Sequence, residues 1–241
     1  MIKRIKNKII EDNFFRPSWY SIFINPYFIN RHSLFKEIKK FSKEINTGTS
    51  ILDVGCGIKP YRKIFQTEKY TGIDIETGGH SNEAKFVDQY YDGENIPFDN
   101  NSFDYLICTQ VLEHAEEPEK VFKECARVLK PNGKMFISMP FTYPEHEIPF
   151  DFQRFTQYKY IKLAKENTLV IENIIKTTGF FGTFGQLLTI FLFEGITFKS
   201  TILKTILSLI FFMPIQAISL LLDFICNKKG QTMDYVIILK K

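Results

Sequence analysis

A buried-strand run passes straight into a glycine turn at Ile51-Leu52-Asp53-Val54-Gly55-Cys56-Gly57. Nineteen residues after Gly55 a second strand-like run, Tyr70-Thr71-Gly72-Ile73-Asp74, ends on an acid. This pairing constrains the fold more than any other feature of the chain. Glycines lack a Cβ and tolerate strained backbone angles, so the turn can come close to a ligand. An acid at the end of the next strand can accept hydrogen bonds from both hydroxyls of a ribose. The two elements together predict a nucleoside crevice above the first two strands of an α/β domain.

The glycine spacing narrows the ligand. A dinucleotide fingerprint needs G-x-G-x-x-G, its last glycine allowing close helix–strand packing. Here Pro60 stands where that third glycine belongs, which argues against an NAD-dependent oxidoreductase. No G-x-x-x-x-G-K-[ST] phosphate loop occurs either. The remaining D-x-G-x-G resembles motif I of the class I S-adenosylmethionine (SAM) methyltransferases. SAM has no pyrophosphate, so a helix N-terminus built to hold one is not required. A tight strand-to-helix turn in an unrelated α/β domain would give the same short motif, so the downstream sequence has to discriminate.

It does so by order and distance. Asp92-Gly93-Glu94-Asn95-Ile96-Pro97-Phe98, followed by Asn101-Ser102-Phe103-Asp104, resembles the acidic loop of that family. Thr109-Gln110-Val111-Leu112-Glu113-His114 is similar to the segment that ends its fourth strand and closes over the cofactor. Ala126-Arg127-Val128-Leu129-Lys130-Pro131-Asn132-Gly133 resembles its helix stop before strand five. The resemblance covers residues 50–140 and implies SAM as cofactor. It implies that Asp53 helps place the methionine end, with Gly55, Cys56 and Gly57 lining it. It further implies that Asp74 binds the ribose, Ile75 lies against the adenine, Asp92 bonds the adenine amino group with Asp88 as a competitor, and Gln110 sits near the sulfonium.

The rest of the chain is consistent with such a fold. Strands are expected near 50–55, 70–75, 84–88, 103–109 and 133–139, with a later one at 168–176 and a last one at 235–239. Helices are expected at 33–45, capped by Ser33, at 118–130 and at 156–166. Pro118 and the neighbouring glutamates suit the start of the second helix, and Lys130-Pro131-Asn132-Gly133 suits its end. Strand–helix alternation means a parallel sheet covered on both faces. With the resemblance, the expected fold class is α/β: a Rossmann-like methyltransferase fold, a mostly parallel seven-stranded sheet with an antiparallel last strand and an apolar helical insertion before it. The expected divisions are an irregular arm and helix over 1–46, a SAM-binding core over 47–178, the insertion over 179–231 and the last strand over 232–241.

Catalytic candidates follow strand five. A hydroxyl acceptor benefits from a general base, and His146 is the natural candidate because an ordinary histidine titrates near neutrality. Asp151 and Arg154 could orient it or hold acceptor hydroxyls; alternatively they pair only with each other. His114 reads as structural. The four cysteines show no C-x-x-C spacing, so neither a zinc site nor a disulfide framework is expected, and no metal is assigned. A net charge of +4 is too small to argue for nucleic acid.

Residues 205–222 carry no charge over eighteen positions, and 180–193 are nearly charge-free. Thr201, Lys204, Thr205, Ser208, Gln216, Ser219 and Asp223 fall on one narrow helical face, with a kink expected at Pro214. A wide apolar arc with a thin polar stripe suits a helix lying in a bilayer interface, and a buried core helix nearly as well. A strand returning to the sheet afterwards forbids a single crossing. Basic Lys3, Arg4, Lys6 and Lys8 could meet anionic lipid. Residues 1–13 hold no apolar stretch long enough for a signal peptide. The expected location is cytoplasmic, peripheral at the inner face of the cell membrane. The Trp19–Asn25–Pro26–Tyr27 approach and the His146–Asp151–Arg154 segment resemble, more loosely, bacterial methyltransferases of surface-polysaccharide synthesis, which implies a small-molecule or lipid-linked glycan acceptor. Methylation of an isoprenoid quinone or another lipid, and an inactive SAM-binding membrane protein, are the competing expectations.

Overall fold

The computed structural model describes residues 13–77, 86–195, 208–226 and 229–241. Seven strands form one sheet: β1 (Ile51–Val54), β2 (Tyr70–Ile75), β3 (Gln89–Tyr91), β4 (Phe103–Thr109), β5 (Leu129–Pro140), β6 (Val170–Lys176) and β7 (Asp234–Lys240), in the order β3-β2-β1-β4-β5-β7-β6. β1 runs parallel to β2 and β4, with Ile51 opposite both Tyr70 and Tyr105. β3 and β5 extend the parallel set. The start of β5 meets the end of β7, through Asn132 N–H to Lys241 O at 2.9 Å and Lys241 N–H to Gly133 O at 3.0 Å. The end of β6 meets the start of β7, through Thr177 N–H to Asp234 O at 3.1 Å. β7 is therefore antiparallel to both neighbours, as expected. The strand order reverses between β1 and β4, and ligands of open α/β sheets bind at such a switch point, beyond the carboxyl ends of the strands.

The central strands are near-continuous apolar runs because both sheet faces are covered. Leu52, Val54, Ile73, Leu106, Cys108 and Ile137 are buried in one core with Val121, Phe122 and Cys125. The last three lie on α2 (Pro118–Val128), which has a proline in its first turn and Arg127 in its last.

Several element boundaries differ from expectation. The first helix, α1, spans Phe28–Ser42 and not 33–45. Ser33 is buried inside it and caps nothing. Phe28 and Ile29 extend the buried apolar face toward the N-terminus, and the Asn25 side chain accepts the Tyr27 N–H at 2.9 Å at the helix entry. The arm before it is not wholly irregular, since Trp19–Phe23 is a 3-10 helix. The strand expected at 84–88 is displaced. Residues 84 and 85 lie outside the described residues, 86–88 are not strand, and the pairing falls on Gln89–Tyr91. The Asp88 N–H still donates to Gly72 O at 2.9 Å, but the Gly72 N–H is taken by the Asp88 carboxylate at 2.7 Å, which also accepts Lys59 Nζ at 2.5 Å, so the ladder is regular only from Gln89. α2 stops at Val128, so β5 starts four residues before the expected 133. It does so through a bulge: Phe103 pairs with Leu129 and Tyr105 with Lys134. α3 (Gln157–Glu166) lies where a helix was expected.

Two compact units make up the chain, Ile38–Ile175 with Tyr235–Lys241, and Met1–Glu37 with Lys176–Asp234. The second unit holds α4 (Phe180–Gly195) and α5 (Met213–Ile225), the latter preceded by a π-helical stretch at Ser208–Phe212. Pro214 follows closely on that stretch, with Phe212 already helical at φ −70° and ψ −44°, so its missing N–H falls inside a continuous helix. The irregularity expected at that proline is the π stretch before it. Thr201, Lys204 and Thr205 lie outside the described residues; Ser208, Gln216, Ser219 and Asp223 share one buried face.

Candidate active site

Three strand ends build the crevice. Asp53, on β1, is 3% exposed. The Tyr70 hydroxyl donates to its Oδ2 at 2.5 Å. Burial pushes the Asp53 carboxyl up to about 7, against the pull of the Tyr70 hydrogen bond. After β1 the chain turns through Gly55 at φ +68° and Gly57 at φ +49°. The two glycines have different jobs. A Cβ on Gly55 would stand 2.3 Å from Val111 Cγ2, so its bareness serves packing. A Cβ on Gly57 would meet nothing within 4 Å, so the open side of the turn is at Gly57. Cys56 is buried and packs beside Gly72, and burial pushes its thiol up, so it acts as an inert filler.

Asp74 closes the other side. Its Oδ2 accepts the Gly57 N–H at 2.8 Å and its Oδ1 the Ile75 N–H at 2.7 Å. The carboxylate is thus fixed at the turn. Ile75 is half-buried, with its Cγ2 3.2 Å from where a Cβ on Gly93 would lie. Asp92 is exposed. Its Oδ1 accepts the N–H groups of Glu94 and Asn95 at 2.8 and 2.7 Å, and its Oδ2 the Asn95 amide at 2.7 Å. The Asn95 N–H leads in holding its carboxyl down at about 2, so Asp92 is always an acceptor at neutral pH. Asp88, the competing acid, is committed to Lys59 and Gly72. Gln110 adopts φ +57° at the end of β4, with its amide donating to Ser138 Oγ at 3.2 Å. The residues fit a nucleoside: an open glycine, a positioned carboxylate and a buried acid lie at one end of adjacent parallel strands.

The loops after β4 and β5 lie at that same end of the sheet and are laced together. Phe152 N–H donates to Glu113 O at 2.9 Å, and the Gln153 amide donates to Leu112 O and Ala115 O at 2.9 and 2.7 Å. The catalytic candidates meet here. Arg154 holds Asp151 through NH1 at 2.5 Å and NH2 at 2.7 Å, and the His146 backbone N–H donates to Asp151 Oδ2 at 3.0 Å. Both alternatives are therefore partly realised, an Asp151–Arg154 pair with His146 attached to it. His146 Nδ1 stands 3.1 Å from Asp151 Oδ2 but off the line of a hydrogen bond, so the contact is electrostatic. Burial lowers the His146 pKa despite Asp151. A neutral ring at pH 7 can accept a proton.

Two further features complete the site. Tyr70 holds Asp53 from the far end of a neighbouring strand. His114, read as structural, has its ring centroid 4.9 Å from that of His146. Its Nδ1 lies 2.6 Å from Phe150 O. Ligand atoms of Glu113, His114 and His146 lie within 4.8 Å of one another, close enough for one cation, although no metal was assigned. The pattern Glu-His after β4 was the available signal, but only the fold brings His146 to it.

Residues 52–137 match the family model described as Methyltransferase domain. Over 101 residues the chain is 31% identical to a ubiquinone biosynthesis O-methyltransferase of Coxiella burnetii, covering 38% of this chain and 43% of that one. Over 104 residues it is 38% identical to a sterol 24-C-methyltransferase of Gibberella zeae, covering 37% and 27%. The matched segments span less than half the length of either relative. Among solved structures, an S-adenosylmethionine-dependent methyltransferase from Mesorhizobium loti superposes with a TM-score of 0.56 at 12% identity, covering 88% of this chain and 100% of that one. That likeness is one of fold.

Proposed function

We propose, from the premise that this chain belongs to the class I SAM-dependent methyltransferase family, that it transfers a methyl group from SAM to a hydroxyl of a membrane-associated glycan or lipid-linked saccharide. The observation that carries the cofactor half is the Gly57–Asp74 contact. It leaves an open glycine beside a fixed carboxylate within the residues that match the family. SAM, when bound, supplies an activated methyl group on a good leaving group. The chain's own residues then position and deprotonate the acceptor. Positioning alone is worth roughly 7–11 kcal/mol in well-aligned reactions. His146, neutral through burial, accepts the acceptor's proton, and Asp151, fixed by Arg154, stabilises the ring once it is charged.

A lipid or isoprenoid quinone acceptor is the second reading. The Coxiella relative, named for ubiquinone biosynthesis, favours it. Titration calorimetry with SAM tests the cofactor. Labelled SAM incubated with native membranes, followed by identification of the labelled product, separates saccharide from quinone. Binding without any labelled product would favour an inactive SAM-binding protein.

A further inference from the structure

We infer that the unit containing α4 and α5 is a lipid-facing module, seated by its apolar outer faces in one leaflet of an anionic bilayer. The inference stands on residues outside the methyltransferase domain and does not depend on the methyl-transfer reading.

The two helices are built inside out. A helix of a soluble protein turns its apolar stripe inward and its polar face to water. Along Ser208–Ile225 the buried positions are Ser208, Phe212, Gln216, Ser219 and Asp223, four of them polar. α4 buries Gly182, Thr183, Gly185, Gln186, Thr189 and Ile190. The outward positions are the apolar ones: Phe184 is 58% exposed, Phe191 73%, Leu221 58% and Phe224 81%. Ser208–Ile225 has a mean hydropathy of 2.0 with only 28% of it buried, where a core helix would be mostly covered.

Several of the inward polar groups are bonded within the unit, while Gln216 Oε1 and Asp223 Oδ1 have no hydrogen-bond partner among the described residues. Asp223 Oδ2 accepts the Gly179 N–H at 2.6 Å. Gln186 donates to Pro26 O at 2.8 Å and accepts the Asn30 N–H at 3.0 Å. Ser208 Oγ donates to Phe23 O at 2.7 Å. The helices touch through Gly182 and Gly185, where an added Cβ would lie 2.3 Å from Asp223 Oδ2 and 2.0 Å from Ser219 Oγ. Small residues at the contact and polar groups turned inward are how helices pack when their surroundings are hydrocarbon.

Charge selects lipid over a second copy or another protein. The segments bordering the helices, 196–207 and 227–231, carry Lys199, Lys204, Lys228 and Lys229 and no acid. Lys229 is exposed. Basic residues that flank apolar helices in the sequence complement anionic headgroups. Trp19, 75% exposed, and Tyr20 belong to the same unit and are the residue types that sit at a membrane–water interface. Length argues for one leaflet over a crossing. β7 returns to the sheet, so a crossing would need two spans, and among the described residues only Ser208–Ile225 has the length and composition of one.

Trp19 is the single tryptophan, so its emission reports on this unit alone. The full chain is mixed with vesicles of phosphatidylcholine, and with vesicles containing one quarter phosphatidylglycerol. Co-flotation with the anionic vesicles and a blue shift of Trp19 emission are expected. Phe184→Glu/Phe224→Glu should weaken flotation at least tenfold and leave thermal unfolding unchanged, since both side chains point away from the fold. The inference is overturned if neither vesicle is bound. It is also overturned if flotation survives the double substitution, or if the chain ignores vesicles and forms a dimer that the same substitutions dissociate.

Discussion

The Tyr70 hydroxyl donates a 2.5 Å hydrogen bond to Asp53 Oδ2 between neighbouring parallel strands, and this bond holds a buried acid near the carboxyl end of β1. Burial raises Asp53 from 3.8 to about 7, so near neutrality it is divided between its two forms. In the fold it keeps its proton where the unfolded chain has lost it. Its contribution to stability therefore falls as pH rises from about 4 to 7 and is constant above that. A cationic ligand beside it favours the carboxylate. SAM should thus bind more tightly as pH rises toward 7 and level off above it, with proton release at pH 6. Calorimetry in two buffers of different ionisation enthalpy reads this directly, and Asp53→Asn should abolish the part due to this residue. Affinity equally pH-dependent in both proteins would refute it.

Tyr70→Phe isolates the same bond. It removes the donor and leaves the acid buried, a change of about 1–3 kcal/mol. Asp53 should rise further, so the pH at which SAM binding strengthens should move up. A melting temperature lowered with no movement of that pH profile would assign Tyr70 to packing alone.

The two turn glycines should fail differently. Gly55→Ala meets Val111 at 2.3 Å and takes a left-handed φ, so it should lower stability by several kcal/mol. Gly57→Ala has open space and bears only the backbone cost, about 1–2 kcal/mol. Its larger effect should be on SAM affinity, through a methyl group placed in the open side of the turn. Asp74→Asn keeps an acceptor for the Gly57 N–H but loses charge, and should weaken SAM roughly tenfold or more while the fold stands. Chemical denaturation and calorimetry on the three variants separate these effects.

His146→Ala should lower turnover about 10²–10⁴-fold with SAM affinity unchanged. Because burial lowers its pKa below 6.5, the acid limb of kcat/KM should lie below that value. Asp151 raises His146, so Asp151→Asn should move the limb to still lower pH. The same substitution strips Arg154 of its partner. In the wild type that partner holds Asp151 at about 2, a stabilisation present above pH 4 and lost as pH falls toward 2. An acid limb that does not move in Asp151→Asn would remove the pair from the mechanism.

Local backbone demands were legible in the sequence, and cross-strand partners were not. The glycines at 55 and 57 and the acid at 74 announce themselves because a turn and a strand end need those residue types. Tyr70 reaches Asp53 only through the register of β1 on β2, which no local pattern encodes. The strand expected at 84–88 slipped to Gln89–Tyr91 because Asp88 spends its carboxylate on Gly72 and Lys59. Ser208, Gln216, Ser219 and Asp223 were visible as one helical face. A period states that a polar face exists, and only the packing of α4 states that it points inward.

That inward packing yields the last prediction. Replacing a helical glycine by alanine usually stabilises by about 1 kcal/mol, since alanine is the better helix former. At Gly185 the sign should reverse. The new methyl would lie 2.0 Å from Ser219 Oγ and 2.6 Å from its Cβ, and both belong to a short side chain that cannot swing clear. Moving two packed helices apart costs about 1–3 kcal/mol, which exceeds the propensity gain. Ser219→Ala should not rescue Gly185→Ala, because the Cβ contact remains, whereas Ser219→Gly should recover part of the loss. A double-mutant cycle in thermal unfolding measures this coupling. Additive effects would show that α4 and α5 do not meet at this pair.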